Sequence, residues 1–234
     1  MVQDLDFIQL EIKNGKILDL SKNEFPTNVY AWDSSNLELE NNNSTYFGFV
    51  ESGSIDLFVG EKLFTIYEKM YFSINQNFKL FNNNVSKGFI VERINYKGFF
   101  SIGGEIEEKG RYKYIDGCSD SLLISPVLKG EPCLNLLHFP PNTIQTPHTH
   151  PSVRIGIIIS GSGQCILENQ VIPLEKGKIF FINSNLLHSF NTQENNMNIV
   201  VYHPDSDFGP TDTNHPMINK TIINGISASN LVNV

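Results

Sequence analysis

The chain has little cysteine, little positive charge, no long hydrophobic run and almost no helical periodicity, and each shortage excludes something. Its three cysteines, Cys118, Cys133 and Cys165, are an odd, scattered set with no CxxC pair. Such a set predicts reduced thiols rather than a disulfide framework, and the acidic opening with Asp4 and Asp6 differs from a basic secretory leader, so the expected compartment is cytoplasmic. Lys and Arg number 17 against 25 Asp and Glu, a formal net charge of −8, and no basic stripe breaks the pattern. A nucleic-acid partner is therefore not expected. No window approaches the roughly 18 apolar residues of a membrane helix, so no membrane partner is expected either.

What the chain does have is apolar material for a core, 40% of its 234 residues, in short runs rich in Val, Ile, Phe and Tyr. Tyr46 to Val50, Ile55 to Val59, Asn135 to Phe139, Arg154 to Ile159 and Asn198 to Tyr202 are examples, and Asn, Gly, Ser or Pro clusters separate them. Many short strands at close spacing predict an all-β fold, either a sandwich or a barrel.

An internal repeat divides the chain. Phe47-Gly48-Phe49-Val50-Glu51-Ser52-Gly53-Ser54 aligns with Ile155-Gly156-Ile157-Ile158-Ile159-Ser160-Gly161-Ser162 at a shift of 108 residues. The match runs on without a gap through Phe72 over Phe180 to Asn77 over Asn185. One β-unit has been laid down twice. The predicted organisation is a first barrel over residues 1–118, a second over 119–205, and an arm over 206–234.

All six histidines lie in the second half. His148 and His150 flank Thr149, and in an extended chain residues two apart project to the same side. His188 follows after the next strand pair, where a barrel returns the chain to face them. Three neutral imidazoles suit a divalent transition metal and leave coordination positions open for substrate, oxygen or water.

These residues resemble the two motifs of the cupin superfamily. The first motif has a glycine, then HxH, a glutamate and a second glycine. Here His148-Thr149-His150 and Gly161 are kept, Asn142 lies near the leading glycine position, and Arg154 occupies the glutamate position. The second motif, PxGxxHxxxN, reads Asn183-Ser184-Asn185-Leu186-Leu187-His188-Ser189-Phe190-Asn191. With the repeat, the resemblance implies a bicupin of tandem double-stranded β-helix (jelly-roll) barrels. The first barrel is degenerate, because Glu40, Asn42, Tyr46 and Leu80 stand where the second has His148, His150, Arg154 and His188. The implied site is a metal, Fe, Ni, Mn or Zn, held by His148, His150 and His188. The implied chemistry is dioxygenase or isomerase turnover of a small, carboxylate-bearing molecule. A binding or sensing protein without turnover is the alternative, and a homodimer is the assembly that the resemblance suggests.

Arg154 leaves several arrangements open. Arginine has no lone pair for a cation, so it cannot replace the motif's glutamate as a ligand. It either grips the substrate's anionic group beside the metal, or turns away and pairs elsewhere, or belongs to a site that binds no metal. Strand parity with His150 favours an inward side chain, although Pro151 weakens the inference. His138, on the strand leading to the motif, faces the cavity as an acid–base group or is a hydrogen-bonded barrel residue. His203 and His215 read as turn residues ahead of prolines. Tyr46, Phe139, Phe181 and Phe190 are candidate pocket aromatics.

Overall fold

Strands form where β-branched and aromatic residues dominate, and turns where Asn, Gly and Ser interrupt them. The computed structural model describes residues 6–40, 43–211 and 215–231. Helix among the described residues is limited to two 3-10 turns, Ile115–Gly117 and Ala228–Asn230. None of these helices is long and apolar enough to cross a membrane.

The first half contains β1 (Phe7–Leu10), β2 (Gly15–Leu20), β3 (Thr27–Asp33), β4 (Leu37–Leu39), β5 (Ser44–Ser52) and β6 (Ser54–Val59). It continues with β7 (Lys62–Tyr67), β8 (Tyr71–Ile74), β9 (Phe78–Asn82), β10 (Lys87–Ile94) and β11 (Ser101–Gly103). The second half contains β12 (Tyr112–Lys113), β13 (Ser119–Ile124), β14 (Cys133–Phe139), β15 (Arg154–Leu167), β16 (Gln170–Glu175), β17 (Ile179–Ile182), β18 (Ser189–Asn191) and β19 (Met197–His203). A short ribbon, β20 (Ile222–Ile223) with β21 (Ile226–Ser227), follows.

Sheets in the first half run β11-β8-β5-β10-β3-β2 and β4-β9-β6-β7. The second half is built on β17-β15-β19-β14-β13-β12, with β16 and β18 pairing the far end of the long β15. The repeat holds in three dimensions. Tyr46 pairs Ile74 as Arg154 pairs Ile182, and Ser54 pairs Tyr67 as Ser162 pairs Glu175, each 108 residues apart. Its glycines have a physical reason. A Cβ on Gly48 would fall 2.1 Å from the Phe72 ring, and one on Gly156 would fall 2.6 Å from the Phe180 ring. In both barrels an aromatic from the neighbouring strand lies across the glycine.

The central strands are buried on both faces. In β15, Ile155 and Ile157 join one apolar cluster while Ile158 joins another. The first of these clusters lies between the barrels: Val29, Phe47, Phe49, Phe89 and Val91 meet Leu136, Ile157, Phe181, Val200 and Tyr202. Each barrel keeps a separate interior, that of the first being filled by Trp32, Tyr46, Phe72, Phe78 and Leu80 among others.

Two features differ from the expected division at residue 118. Strand β1 pairs antiparallel with β17, so residues 7–10 extend the second barrel's sheet. Strand β12 pairs β13, so residues 112–113 do the same. The reason is edge coverage: β17 would otherwise present an unpaired edge, and a stretch from the other end of the chain covers it. In the C-terminal stretch, Pro210 and Ser206 accept backbone bonds from Lys129 and Gly130, whereas Ile222, Ile223 and Ile226 are exposed.

Candidate metal centre

The HxH segment is not a continuation of β15, because the chain bends at Pro151 and Ser152 before Arg154 opens the strand. Its geometry comes from the second motif. His148 and His188 exchange both backbone bonds, at 2.9 and 3.0 Å, and the Asn185 N–H donates to the His150 carbonyl at 2.7 Å. Asn142, near the first motif's leading glycine position, and Asn185, at the second motif's glycine position, are both left-handed, with φ of 59° and 60°. After glycine, asparagine is the residue that tolerates this conformation best, which explains how the loops survive the replacement.

The three rings converge. Their centroids are 4.9 Å apart for His148 and His150, 4.8 Å for His148 and His188, and 5.3 Å for His150 and His188. One nitrogen from each lies within 4.8 Å of the others. Two metal–nitrogen bonds of about 2.1 Å span about 4.2 Å at most, so the trio is a little wider than its metal-bound spacing. Nδ1 of His148 lies 2.8 Å from the Thr146 carbonyl, and Nδ1 of His188 lies 2.8 Å from the Leu186 carbonyl. A carbonyl can only accept, so each Nδ1 carries the proton and each Nε2 keeps its lone pair. Nε2 of His188 is buried without a hydrogen-bond partner. An unsatisfied buried lone pair is costly, and a cation satisfies it. The residues fit a divalent metal.

Burial also keeps His150 and His188 neutral. It pushes His150 down to about 3, assisted by Arg154 and the other two imidazoles. It pushes His188 down to about 4, against the opposing Leu186 carbonyl.

Arg154 borders the cavities, although the bend at Pro151 and Ser152 breaks the continuous strand on which parity with His150 relies. Nη1 donates to the Ser152 carbonyl (3.2 Å), Ser152 Oγ (2.6 Å) and the Val153 carbonyl (3.0 Å), and lies 3.5 Å from Asp205 Oδ1. The Ser152 hydroxyl also donates to Asp205. Nε of Arg154 is buried and has no partner. The guanidinium borders two cavities. An inner one of about 40 Å³ holds the three histidines over Phe139, Phe180 and Phe190. An outer one of about 310 Å³ is lined by Tyr112, Asn135, Asp205 and Phe208. Tyr114, Asp120, His150, Arg154 and His203 border both.

His138 does not line either cavity. Its neighbours Leu137 and Phe139 face inward, so alternation turns His138 the other way, where Nδ1 lies 2.6 Å from Asn198 Oδ1. Phe181 likewise joins the inter-barrel cluster, while Phe139 and Phe190 line the cavity. His203 ends β19 and borders both cavities, its ring 6.5 Å from that of His150. The sequence reading missed it, as it missed Asp120, because the register that carries them to the cavity is set by distant strands. His215 lies in the described part of the C-terminal stretch.

In the first barrel, Tyr46 takes the place of Arg154 and its hydroxyl lies 3.3 Å from the Glu92 carboxylate. That carboxylate also accepts from Asn28, Tyr30 and Ser44. Leu80, the counterpart of His188, is a core residue, Glu40 is exposed, and Asn42 lies outside the described residues.

Residues 135–203 match the family model described as the cupin domain. Solved structures share the fold over most of the chain. A cupin 2 conserved barrel domain protein from Leptotrichia buccalis superposes with a TM-score of 0.63 at 13% identity, covering 85% of this chain and 89% of its own. Protein Ylba from E. coli gives 0.64 at 18% identity, with 86% and 92% covered. A salicylate 1,2-dioxygenase mutant from Pseudoaminobacter salicylatoxidans, in complex with gentisate, gives 0.60 at 9% identity, with 76% and 68% covered. No curated protein sequence matches the chain.

Proposed function

We propose that this protein, whose residues 135–203 match the cupin domain, is a metal-dependent enzyme of the cupin superfamily that acts on a small carboxylate, by oxygenation or isomerisation, in its second barrel. One observation carries the reading: two complementary orphan groups border one space. The Nε2 lone pair of His188 lacks an electrophile, and Nε–H of Arg154 lacks an acceptor. A divalent cation answers the first and a substrate carboxylate the second.

His148, His150 and His188 would hold the ion through Nε2, each Nδ1 bond of His148 and His188 fixing its ring. When bound there, Fe, Ni, Mn or Zn supplies a Lewis acid with open positions beside the substrate. Arg154 orients the anionic group, and its tether to Ser152 and Asp205 holds the guanidinium ready before the ligand arrives. Phe139, Phe180 and Phe190 keep water from the floor of the inner cavity. The gentisate complex of the salicylate dioxygenase is a carboxylate bound by a protein of the same fold, and it supports this substrate class.

The test is metal analysis of protein purified without an affinity tag, for the wild type and for His148→Ala. One equivalent of a single transition metal, lost in the variant, is the expected result. A metal-free protein carrying a tightly bound organic molecule would instead identify a binding or sensing role.

A further inference from the structure

We infer that Asp120 is the residue that exchanges a proton with the substrate, so that the second barrel performs proton transfer at a carbon of a small carboxylate. This rests on the metal-and-carboxylate reading above and narrows it from two chemistries to one.

The inference starts from placement. Asp120 sits on β13, opposite Tyr112 on one side and Leu137 on the other. It is the only acidic side chain bordering the inner cavity among the described residues, and it borders the outer one as well. It therefore borders the same inner space as Arg154 and the three histidines. Two other acid–base candidates are engaged elsewhere. Asp205 is tied to Arg154 and Ser152, and His138 faces away from the cavity.

Asp120 is held in a manner that suits the role. The Asn135 amide donates to both of its oxygens, at 3.0 and 3.2 Å, and no ion pair fixes its charge among the described residues. The titratable groups sharing its space are Tyr112, Lys113 and Tyr114 from the preceding segment, Cys133 on β14, His150, Arg154, and His203 at the end of β19. Asp205 and Asp207 join them in the outer cavity, and His148 and His188 in the inner one. Burial raises its carboxyl to about 6, so carboxylate and acid coexist near neutrality and one group can both take and return a proton.

The step balances without an oxidant. A C–H bond next to the substrate's carbonyl breaks, its proton passes to an Asp120 carboxylate oxygen, the C–H pair becomes a carbon–carbon double bond, and the carbonyl π pair moves onto the carbonyl oxygen. Return of the proton to the same carbon restores the carbonyl and the Asp120 carboxylate.

Pyruvate in D₂O is the simplest probe, being a carboxylate with exchangeable C–H bonds beside a carbonyl. Protein reconstituted in turn with Fe(II), Ni(II), Mn(II) or Zn(II) is followed by proton NMR for loss of the methyl signal above a free-metal control. Calorimetry reports metal and pyruvate binding for each sample. The wild type should exchange with at least one metal, at a rate that rises as pH increases through about 6. Asp120→Asn should bind metal and pyruvate within about threefold of the wild type yet exchange about 100-fold more slowly or worse. Exchange by Asp120→Asn close to the wild-type rate overturns the proposal, as does a wild type that binds pyruvate and metal without exchange. Failure to bind metal at all overturns the metal centre itself, and calorimetry separates that result from the others.

Discussion

At the scale of single residues, the site is a balance between burial and charge. Three imidazoles share one small volume with an arginine, and His150 and His188 are kept neutral because a cation there would face both desolvation and like charge. This has a pH signature. An unfolded histidine titrates near 6.5, whereas folded His150 and His188 titrate at about 3 and about 4. Between those limits the unfolded chain binds more protons, so stability falls as pH drops from 7 toward 4. Metal-stripped protein should show a falling Tm over that range, and replacing His150 and His188 together by Gln should flatten the fall. A Tm that the double variant leaves equally steep would mean that other groups set the acid limit.

Much of this chemistry is legible in the sequence, and the remainder is not for a definable reason. His148 and His150 are visible because they are two apart, and His188 because the motif fixes its distance from them. Parity with His150 suggests an inward Arg154, but the bend at Pro151 and Ser152 breaks that strand, so its place at the cavity is set by the fold rather than by parity. The orientation of His138 is not visible either. Strand β14 is buried on both faces, so Leu134, Leu136 and Leu137 offer no alternation from which to read its phase. Its pairing with β19 sets which side His138 faces. Asp120 and His203 reach the cavity by the same kind of distant pairing, which one strand read alone does not contain.

At the scale of elements, the loop 183–188 positions the site. Asn185 sits at φ 60° and donates its N–H to the His150 carbonyl, so one residue shapes the loop that delivers His188 and anchors a second ligand. An alanine there would have to hold a left-handed conformation at a cost of about 1–2 kcal/mol. Asn185→Ala is therefore expected to weaken metal binding roughly tenfold, a loss of support typical of residues behind the ligands. Asn185→Gly should keep wild-type affinity, because glycine adopts this conformation freely. Competition against a chelator of known affinity distinguishes them, and equal losses in both variants would show that the asparagine side chain matters rather than its backbone.

At the scale of the molecule, the two halves are not beads on a string. The apolar cluster between them draws on both barrels, and β1 crosses over to cover an edge of the second sheet. The repeat shows two units in the sequence, but it carries no sign that the unit holding the ligands depends on the other. A fragment of residues 119–205 would expose Leu136, Ile157, Phe181 and Val200 and leave β17 with an open edge. It should be insoluble or bind a hydrophobic dye, while the full chain unfolds in one cooperative transition. A soluble, cooperatively folding fragment would mean that the interface contributes little.

All of the proposed chemistry depends on the three imidazoles acting together on one ion. X-ray absorption spectroscopy of the metal-loaded, untagged protein counts them directly. Three imidazole nitrogens at about 2.0–2.1 Å, falling to two in His188→Ala, is the expected spectrum. A metal that shows the same imidazole count with and without His188 would contradict the site.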